Sequence, residues 1–520
     1  MEAQAILLIV LVVLLAAVLM SGFPVAFALM GVSLAVALIG IGLSTTFGMD
    51  LGRLDWSYVT LFPDRIHGVM TNEVLLAVPL FVFMGVMLER SRVAEDLLES
   101  LGILFGRFRG GLGISVTIVG ALLAASTGIV GATVATMGLI SLPTMMKRGY
   151  DPGFASGSIA AAGTLGQIIP PSIVLVILSD VISNAWQEAQ REMGVFSPQP
   201  VSVGDLFMGA LLPGFMLVGL YILYQLGVAI FRPHHSPAIE LDEAAPPIGR
   251  VLGALLGPIL LIVAVLGSIL AGIATPTQAA AVGAIGAIFL AGLRANPRQR
   301  TLQLGLLATI LLLILPAMSD GLSQFITRPA FSILAVMTVF GIWRALQATW
   351  RSGALKEVMD SALKVNVMIF GVLIGAALFS LVFRGLGGDH YIEQLLTGLP
   401  GGKTGALIAV MFAIFILGFF LDFIEITFVV VPIVAPVLFM MGIDPVWLGV
   451  MIAINLQTSF LTPPFGFALF YLRAVAPEGL RTVQLYRGII PFVGIQILAL
   501  FIVASYPSLA TWLPKVVFGN

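Results

Sequence analysis

Apolar stretches of about 20 residues recur along this chain, and that recurrence leaves few folds open to it. A segment of that length satisfies its own backbone as a helix and reaches across the hydrocarbon core of a bilayer. The runs fall at 4–20, 24–44, 74–89, 111–146, 152–184, 205–231, 251–273, 275–294, 302–319, 329–346, 364–384, 404–442, 446–475 and 488–512. They are too long and continuous for the roughly 10-residue alternating strands of a membrane barrel. Only 10% of the 520 residues are charged and 59% are hydrophobic, where soluble domains carry about 25% charged residues. The sequence therefore predicts an all-α polytopic membrane protein. A net charge of −1 gives no electrostatic footprint for nucleic acid. With no cysteine there is no disulfide framework, thiol nucleophile or thiolate metal site.

Lysine and arginine in the loops orient the spans. Arg90, Arg92, Arg107 and Arg109; Arg294, Arg298 and Arg300; Arg344, Arg351, Lys356 and Lys364; and Arg473, Arg481 and Arg487 mark four cytoplasmic segments. Segments 46–72 and 185–204 are poor in basic residues and are assigned outside. Runs 111–146 and 404–442 are too long for one span, and each has a polar break, "ASTG" at 125–128 and "LDFIE" at 421–425. Both are predicted to be re-entrant hairpins that return to their starting side. Twelve single crossings then put every basic segment inside. Segment 91–108 reads as an amphipathic helix along the cytoplasmic interface.

Two apolar runs are each broken by a proline pair, Pro170–Pro171 and Pro463–Pro464. A proline pair removes two backbone donors and clashes with the preceding turn. Freed backbone groups are tolerated in a membrane only where protein or a polar cavity satisfies them. Pro143, Asp151, Pro152, Pro170 and Pro171 recur as Pro436, Asp444, Pro445, Pro463 and Pro464, each displaced by 293 residues. The turn "KRGYDP" is basic and its counterpart "MGIDP" is not, so the two copies run in opposite directions. An inverted repeat with a broken helix in each half is the pattern of a secondary transporter whose site lies near the midplane. Proline kinks that serve packing alone would have no reason to recur at matched positions.

The polar residues at these breaks are the candidate site. Ser126, Thr127 and Gly128 form the first hairpin tip, with Thr133 beyond it; Thr164, Gln167 and Ser172 surround the first proline pair. Asp422 and Glu425 lie three apart within apolar sequence, on one helical face if that tip is helical, and intramembrane carboxylates are costly and usually functional. Asn455, Gln457, Thr458, Ser459 and Thr462 complete the second break. Hydroxyl, amide and free carbonyl oxygens suit a hard monovalent cation. The Asp422–Glu425 pair is equally open to proton transfer, to an arginine of a partner chain, or to facing the outer water. "GLPGGKTG" at 398–405 is one residue short of a phosphate loop, so no ATP site is expected. The four histidines lack ligand spacing, and no catalytic constellation is present, so no enzyme is expected.

The segments "AASTGIVGATVATMGLISLPTM", "GTLGQIIPPSI", "GIATPTQAAAVGA" and "LQTSFLTPPFGFALFYLRAVAP" together resemble the large membrane subunit of tripartite ATP-independent periplasmic (TRAP) transporters. The resemblance spans the chain except for 295–363. It implies an elevator-type, Na+-coupled importer of the ion-transporter superfamily in the bacterial inner membrane, taking up a small organic anion such as a 2-oxo, hydroxy or dicarboxylic acid. It implies two protein partners, a small four-helix membrane subunit and a soluble periplasmic substrate-binding protein, and Na+ rather than a cofactor. By position it implies one Na+ site from Thr127, Thr133, Gly163 and Thr164. A second would use Asp422, Asn455, Thr458 and Thr462. The remaining tip residues, Ser126, Gly128, Gln167, Ser172, Glu425, Gln457 and Ser459, then become substrate candidates. The expected organisation is N-terminal scaffold spans with the interfacial arm (1–110), first hairpin and broken helix (111–184), scaffold spans (185–294), an inserted two-span hairpin (295–363), a scaffold span with an outer arm (364–403), second hairpin and broken helix (404–475), and a last span (476–520). The alternatives are a stand-alone divalent-anion symporter of the same superfamily and a proton-coupled carrier.

Overall fold

The computed structural model describes residues 2–49, 53–91, 93–127, 130–238, 248–296, 299–318 and 324–519. Their regular structure is entirely helical, as the apolar runs require. Eight of the described helices are long and apolar enough to cross a membrane by length and composition. The interfacial arm is the helix Val93–Gly106. Arg294 joins it to the end of helix Pro276–Ala295 through Asp96 at 2.6 Å, and the Ser115 hydroxyl donates to its Leu101 carbonyl at 2.8 Å. Arg294 and the arm thus share one face, as the loop charges predict.

Each long run is two helices meeting at its polar tip. Hairpin 1 is Gly111–Thr127 and Val130–Lys147. Hairpin 2 is Gly402–Leu417, then Phe423–Glu425, a wide π turn at Ile426–Val430, and Val431–Met440. The first arms hold 17 and 16 residues, about 25 Å at 1.5 Å per residue, which falls short of the ~30 Å hydrocarbon core.

Each hairpin leads through a tight turn into a broken helix, and the turns match residue for residue. Gly149 and Gly442, 293 residues apart, take φ of +81° and +83°, where a side chain would be strained. Asp151 and Asp444 then cap the next helix, accepting from the amides of Phe154 at 2.8 Å and Trp447 at 2.9 Å. Broken helix 1 is Pro152–Thr164, a short 3-10 turn Leu165–Gln167, then Ile173–Glu192. Broken helix 2 is Pro445–Leu461 and Phe467–Val475. The Pro170–Pro171 and Pro463–Pro464 bonds are both cis.

Each hairpin packs closely on its own broken helix, with a glycine of one seated against a side chain of the other. A Cβ on Gly163 would stand 2.3 Å from Val134 Cγ2 of hairpin 1. A Cβ on Gly418 would stand 2.1 Å from Ser459 Oγ of broken helix 2. Hairpin 1 also meets broken helix 2, where helix Val130–Lys147 lies on Phe467–Val475. The hairpins and broken helices therefore form one packed unit.

Around this unit stand Val25–Phe47 against Ala354–Gly385 and Ala77–Arg90 against Pro276–Ala295. Segment 295–363 supplies two helices, Arg300–Met318 and Gln324–Arg351, packed on each other and on Pro276–Ala295, away from the hairpins. The run 488–512, expected as one span, is two helices: Thr482–Ser505 ends before Pro507, and Ser508–Phe518 turns back onto Val203–Phe231. Residues before a proline are biased away from helical backbone, and Tyr506 takes ψ +76°.

Candidate functional site: two helix breaks joined at matched residues

The two broken helices meet at equivalent positions. Gln457 Nε2 donates to Thr164 Oγ at 3.1 Å, and the two residues are 293 apart. Thr164 Oγ in turn donates to the Ala161 carbonyl at 2.8 Å. Both side chains are fully buried, as are Tyr221 of helix Val203–Phe231 and Gln496 of helix Thr482–Ser505. The Tyr221 hydroxyl lies beside Thr164 and Gln496 without a well-aligned hydrogen bond to either. The Gln457 Oε1 atom and the whole amides of Gln167 and Gln496 are also buried without a protein partner. Such atoms each cost roughly 1–3 kcal/mol when left alone. A membrane protein keeps them where a polar guest or water completes their bonds.

The freed carbonyls at the breaks are partly taken up by the protein itself. Ser172 caps the second half of broken helix 1, and its hydroxyl donates to the Gln167 carbonyl at 3.1 Å. At the second break, the Tyr486 hydroxyl donates to the Pro464 carbonyl at 3.2 Å. A carbonyl freed by a helix break needs a donor, and here side chains supply two, one buried at Gln167 and one exposed at Pro464.

At hairpin 2 the structure corrects one expectation. Asp422 does not share a helical face with Glu425; it is extended (ψ 165°) and caps the helix that contains Glu425. Asp422 Oδ1 accepts from the Phe423 amide at 2.7 Å, and Glu425 Oε2 accepts from the Asp422 amide at 3.0 Å. This reciprocal box arises because the first helical amides have no partner within the helix. It leaves the other carboxylate oxygens open at the tip, and neither acid pairs with a described basic side chain. Thr427, fully buried in the π turn, has a hydroxyl with no partner.

The other candidates fall into two groups. Asn455 Nδ2 donates to the Met411 carbonyl of hairpin 2 at 2.7 Å, tying the broken helix to the hairpin. Thr458, Ser459 and Thr462 donate to the Ile454, Leu456 and Thr458 carbonyls of their own helix. Each hydroxyl oxygen keeps its lone pairs for a cation. Thr133 is buried on hairpin 1, beside Val134, where Gly163 makes its closest approach. Gly128 lies outside the described residues, as do the side chains of Ser126 and Thr127.

Several polar residues of this region were not singled out from the sequence. Asp180 sits within an apolar run, and that isolated acid was a readable signal. It accepts from Asn72 Nδ2 at 2.9 Å. Glu188 forms a two-pronged pair with Arg384, whose second prong, Nη2 to Oε2, is 2.9 Å. At the other end of the molecule, Thr136 of hairpin 1 donates to Glu89 of helix Ala77–Arg90 at 3.1 Å. These pairs join the hairpin unit to the surrounding helices, and only the tertiary structure brings their members together.

Residues 12–509 match the family described as "Tripartite ATP-independent periplasmic transporter, DctM component". The chain is 29% identical to a C4-dicarboxylate TRAP transporter large permease of Vibrio cholerae, over 94% of this chain and 96% of that one. It is 27% identical to an ectoine TRAP transporter large permease of Halomonas elongata, over 96% and 97% of the two chains. Among solved structures, the YdaH transporter of Alcanivorax borkumensis shares the fold, with a TM-score of 0.53 at 16% identity over 89% of this chain and 88% of that one. This family is one of transporter permeases, not of enzymes. The chain belongs to the DctM family, and so is the large permease subunit of a TRAP transporter, a bacterial inner-membrane protein that works with a small membrane subunit and a soluble periplasmic substrate-binding protein to import a solute.

Proposed function

We propose that this subunit couples the inward flow of Na+ to import of a small organic anion carrying at least one carboxylate. The observation that carries the reading is the tip of hairpin 2. Asp422 and Glu425 are held there by backbone amides, with open oxygens and no described cationic neighbour. A carboxylate inside a membrane is costly unless a cation or proton accompanies it. Asn455, Thr458 and Thr462 lie on the broken helix that packs against this hairpin and add neutral oxygens. Thr127, Thr133, Gly163 and Thr164 form the equivalent candidate set at hairpin 1. The two units are read as an inverted repeat that moves as one body past the surrounding helices. The dicarboxylate named for the Vibrio cholerae relative fits an anionic cargo.

The test is uptake into proteoliposomes holding this chain, its small subunit and its binding protein. Accumulation should follow an inward Na+ gradient and be indifferent to ATP. Uptake driven by a proton gradient with no Na+ would favour a proton-carrying role for Asp422 and Glu425. Uptake driven by ATP alone would overturn the reading.

A further inference from the structure

A cavity of about 580 Å3 opens between the hairpin unit and the surrounding helices. It is lined by the ends of Phe62–Met70, Ile173–Glu192 and Ala354–Gly385, and by Phe428 and Pro432 of hairpin 2. Each of these ends lies on the side that the loop charges assign to the periplasm. Three arginines face the cavity: Arg65, Arg191 and Arg384. Arg65 and Arg191 are exposed and make no ion pair with a described acid; with the one exposed acid beside them, Asp64, they leave a net positive charge at its mouth. Arg384 lies deeper, its side chain 28% exposed.

The geometry at Arg384 carries the argument. Its Nη1 and Nη2 atoms face the two oxygens of Glu188, the fork-to-fork arrangement that suits a carboxylate better than any other side-chain pairing. Nη2 also donates to the Pro432 carbonyl of hairpin 2 at 3.3 Å. Arg384 belongs to helix Ala354–Gly385, outside the hairpin unit, while Glu188 and Pro432 belong to that unit. Asn72 and Asn184 also line the cavity, and both donate to Asp180, at 2.9 and 3.4 Å. That acid is thereby satisfied by neutral amides and does not compete for the arginine.

We propose that Arg384 is the carboxylate receptor of this outer cavity, and that Glu188 holds its guanidinium fork until a solute carboxylate takes that place. Arg65 and Arg191 draw the anion in; exchange at Arg384 transfers the fork from the protein's own acid to the cargo. The same exchange removes an ion pair that fastens broken helix 1 to the surrounding helices, so cargo arrival loosens the unit that must move. The proposal rests on the organic-anion reading for the identity of the cargo, and its test involves no transport.

The chain has no cysteine, so Ser380→Cys in the cavity wall is the sole thiol it would carry. The complex with its small subunit is labelled with a negatively charged sulfonatoethyl methanethiosulfonate and, separately, with its positively charged trimethylammonium counterpart. The anionic reagent should react faster. Arg384→Gln should lower its relative rate roughly three- to tenfold, and Glu188→Gln should raise it by a similar factor, the change expected when one charge is removed a few ångströms away in a partly wet cavity. Succinate at millimolar concentration, used as a two-carboxylate probe, should protect the thiol. Arg384→Lys should keep the charge preference but lose the protection, because an ammonium offers no fork. Equal rates for both reagents, a preference indifferent to Arg384→Gln and Glu188→Gln, or succinate protection that survives Arg384→Lys, would overturn the proposal. Because labelling needs no Na+ gradient, a failure of Na+-driven uptake leaves these readings intact, and the two ideas stand or fall separately.

Discussion

Replacing Asp422 separates charge from architecture at the hairpin tip. The side chain does two things: it caps a helix, through Oδ1 to the Phe423 amide at 2.7 Å, and it holds negative charge beside open oxygens. Asparagine is as good a cap as aspartate, so Asp422→Asn keeps the first role and deletes the second. Glu425→Gln likewise keeps the reciprocal bond from the Asp422 amide, 3.0 Å in the parent. Asp422→Ala removes both roles, and the lost cap alone costs about 1 kcal/mol. A coordinated Na+ loses one charge-assisted contact on Asp422→Asn, on the order of 1–3 kcal/mol, or roughly 5- to 150-fold in affinity. The assay is initial uptake in proteoliposomes titrated with Na+ at two pH values, alongside thermal unfolding in detergent. Half-saturation by Na+ should rise by that factor in Asp422→Asn with little change in melting, and Asp422→Ala should show both defects. A Na+ titration of Asp422→Asn that overlays the parent curve would refute the reasoning and reduce the pair to a cap. A flattened pH profile with little Na+ effect would assign the acid to protons instead.

Three further outcomes follow from the packing. Gly163→Ala places a Cβ 2.3 Å from Val134 Cγ2, so overpacking should destabilise the fold by about 1–3 kcal/mol in a detergent melt. Val134→Ala in the same chain should restore part of that loss. Thr164→Val leaves the buried Gln457 amide without its 3.1 Å acceptor, a loss of roughly 1–3 kcal/mol. Adding Gln457→Leu should recover most of it, and a double-mutant cycle that sums without coupling would speak against the bond. In this cysteine-free chain, Asn72→Cys and Asp180→Cys replace side chains whose terminal atoms are 2.9 Å apart, and bridging the two thiols with a short bis-methanethiosulfonate reagent should stop uptake until the bridge is reduced. Full turnover with the bridge in place would show that the hairpin unit does not slide past its surroundings.

The sequence alone determined the solvent, the element type and the punctuation of this protein. Apolar length forces helices, because a bilayer offers no partner for exposed backbone. Pro170–Pro171 and Pro463–Pro464 forbid continuous helices wherever they occur. The aspartates before Pro152 and Pro445 announce helix starts, and both cap as their spacing implies. The pattern Asp422-Phe-Ile-Glu425 was likewise a readable capping box, although its setting between apolar runs suggested a helical face. All of these are local rules, set within a few residues of the chain. Which polar atoms meet across the molecule was decided by the tertiary structure. Thr164 reaches Gln457 only because two broken helices pack together at equivalent positions, and their residue types, a threonine and a glutamine, do not advertise the pair. Tyr221 and Gln496 join that core from helices that read as ordinary spans. Glu188 and Arg384, 196 residues apart, each look like an interfacial charge until the fold turns them toward one cavity. Periodicity records which residues a helix buries, whereas a partner depends on the angle and depth at which two helices pack, and those emerge only when side chains of the whole unit close on one another.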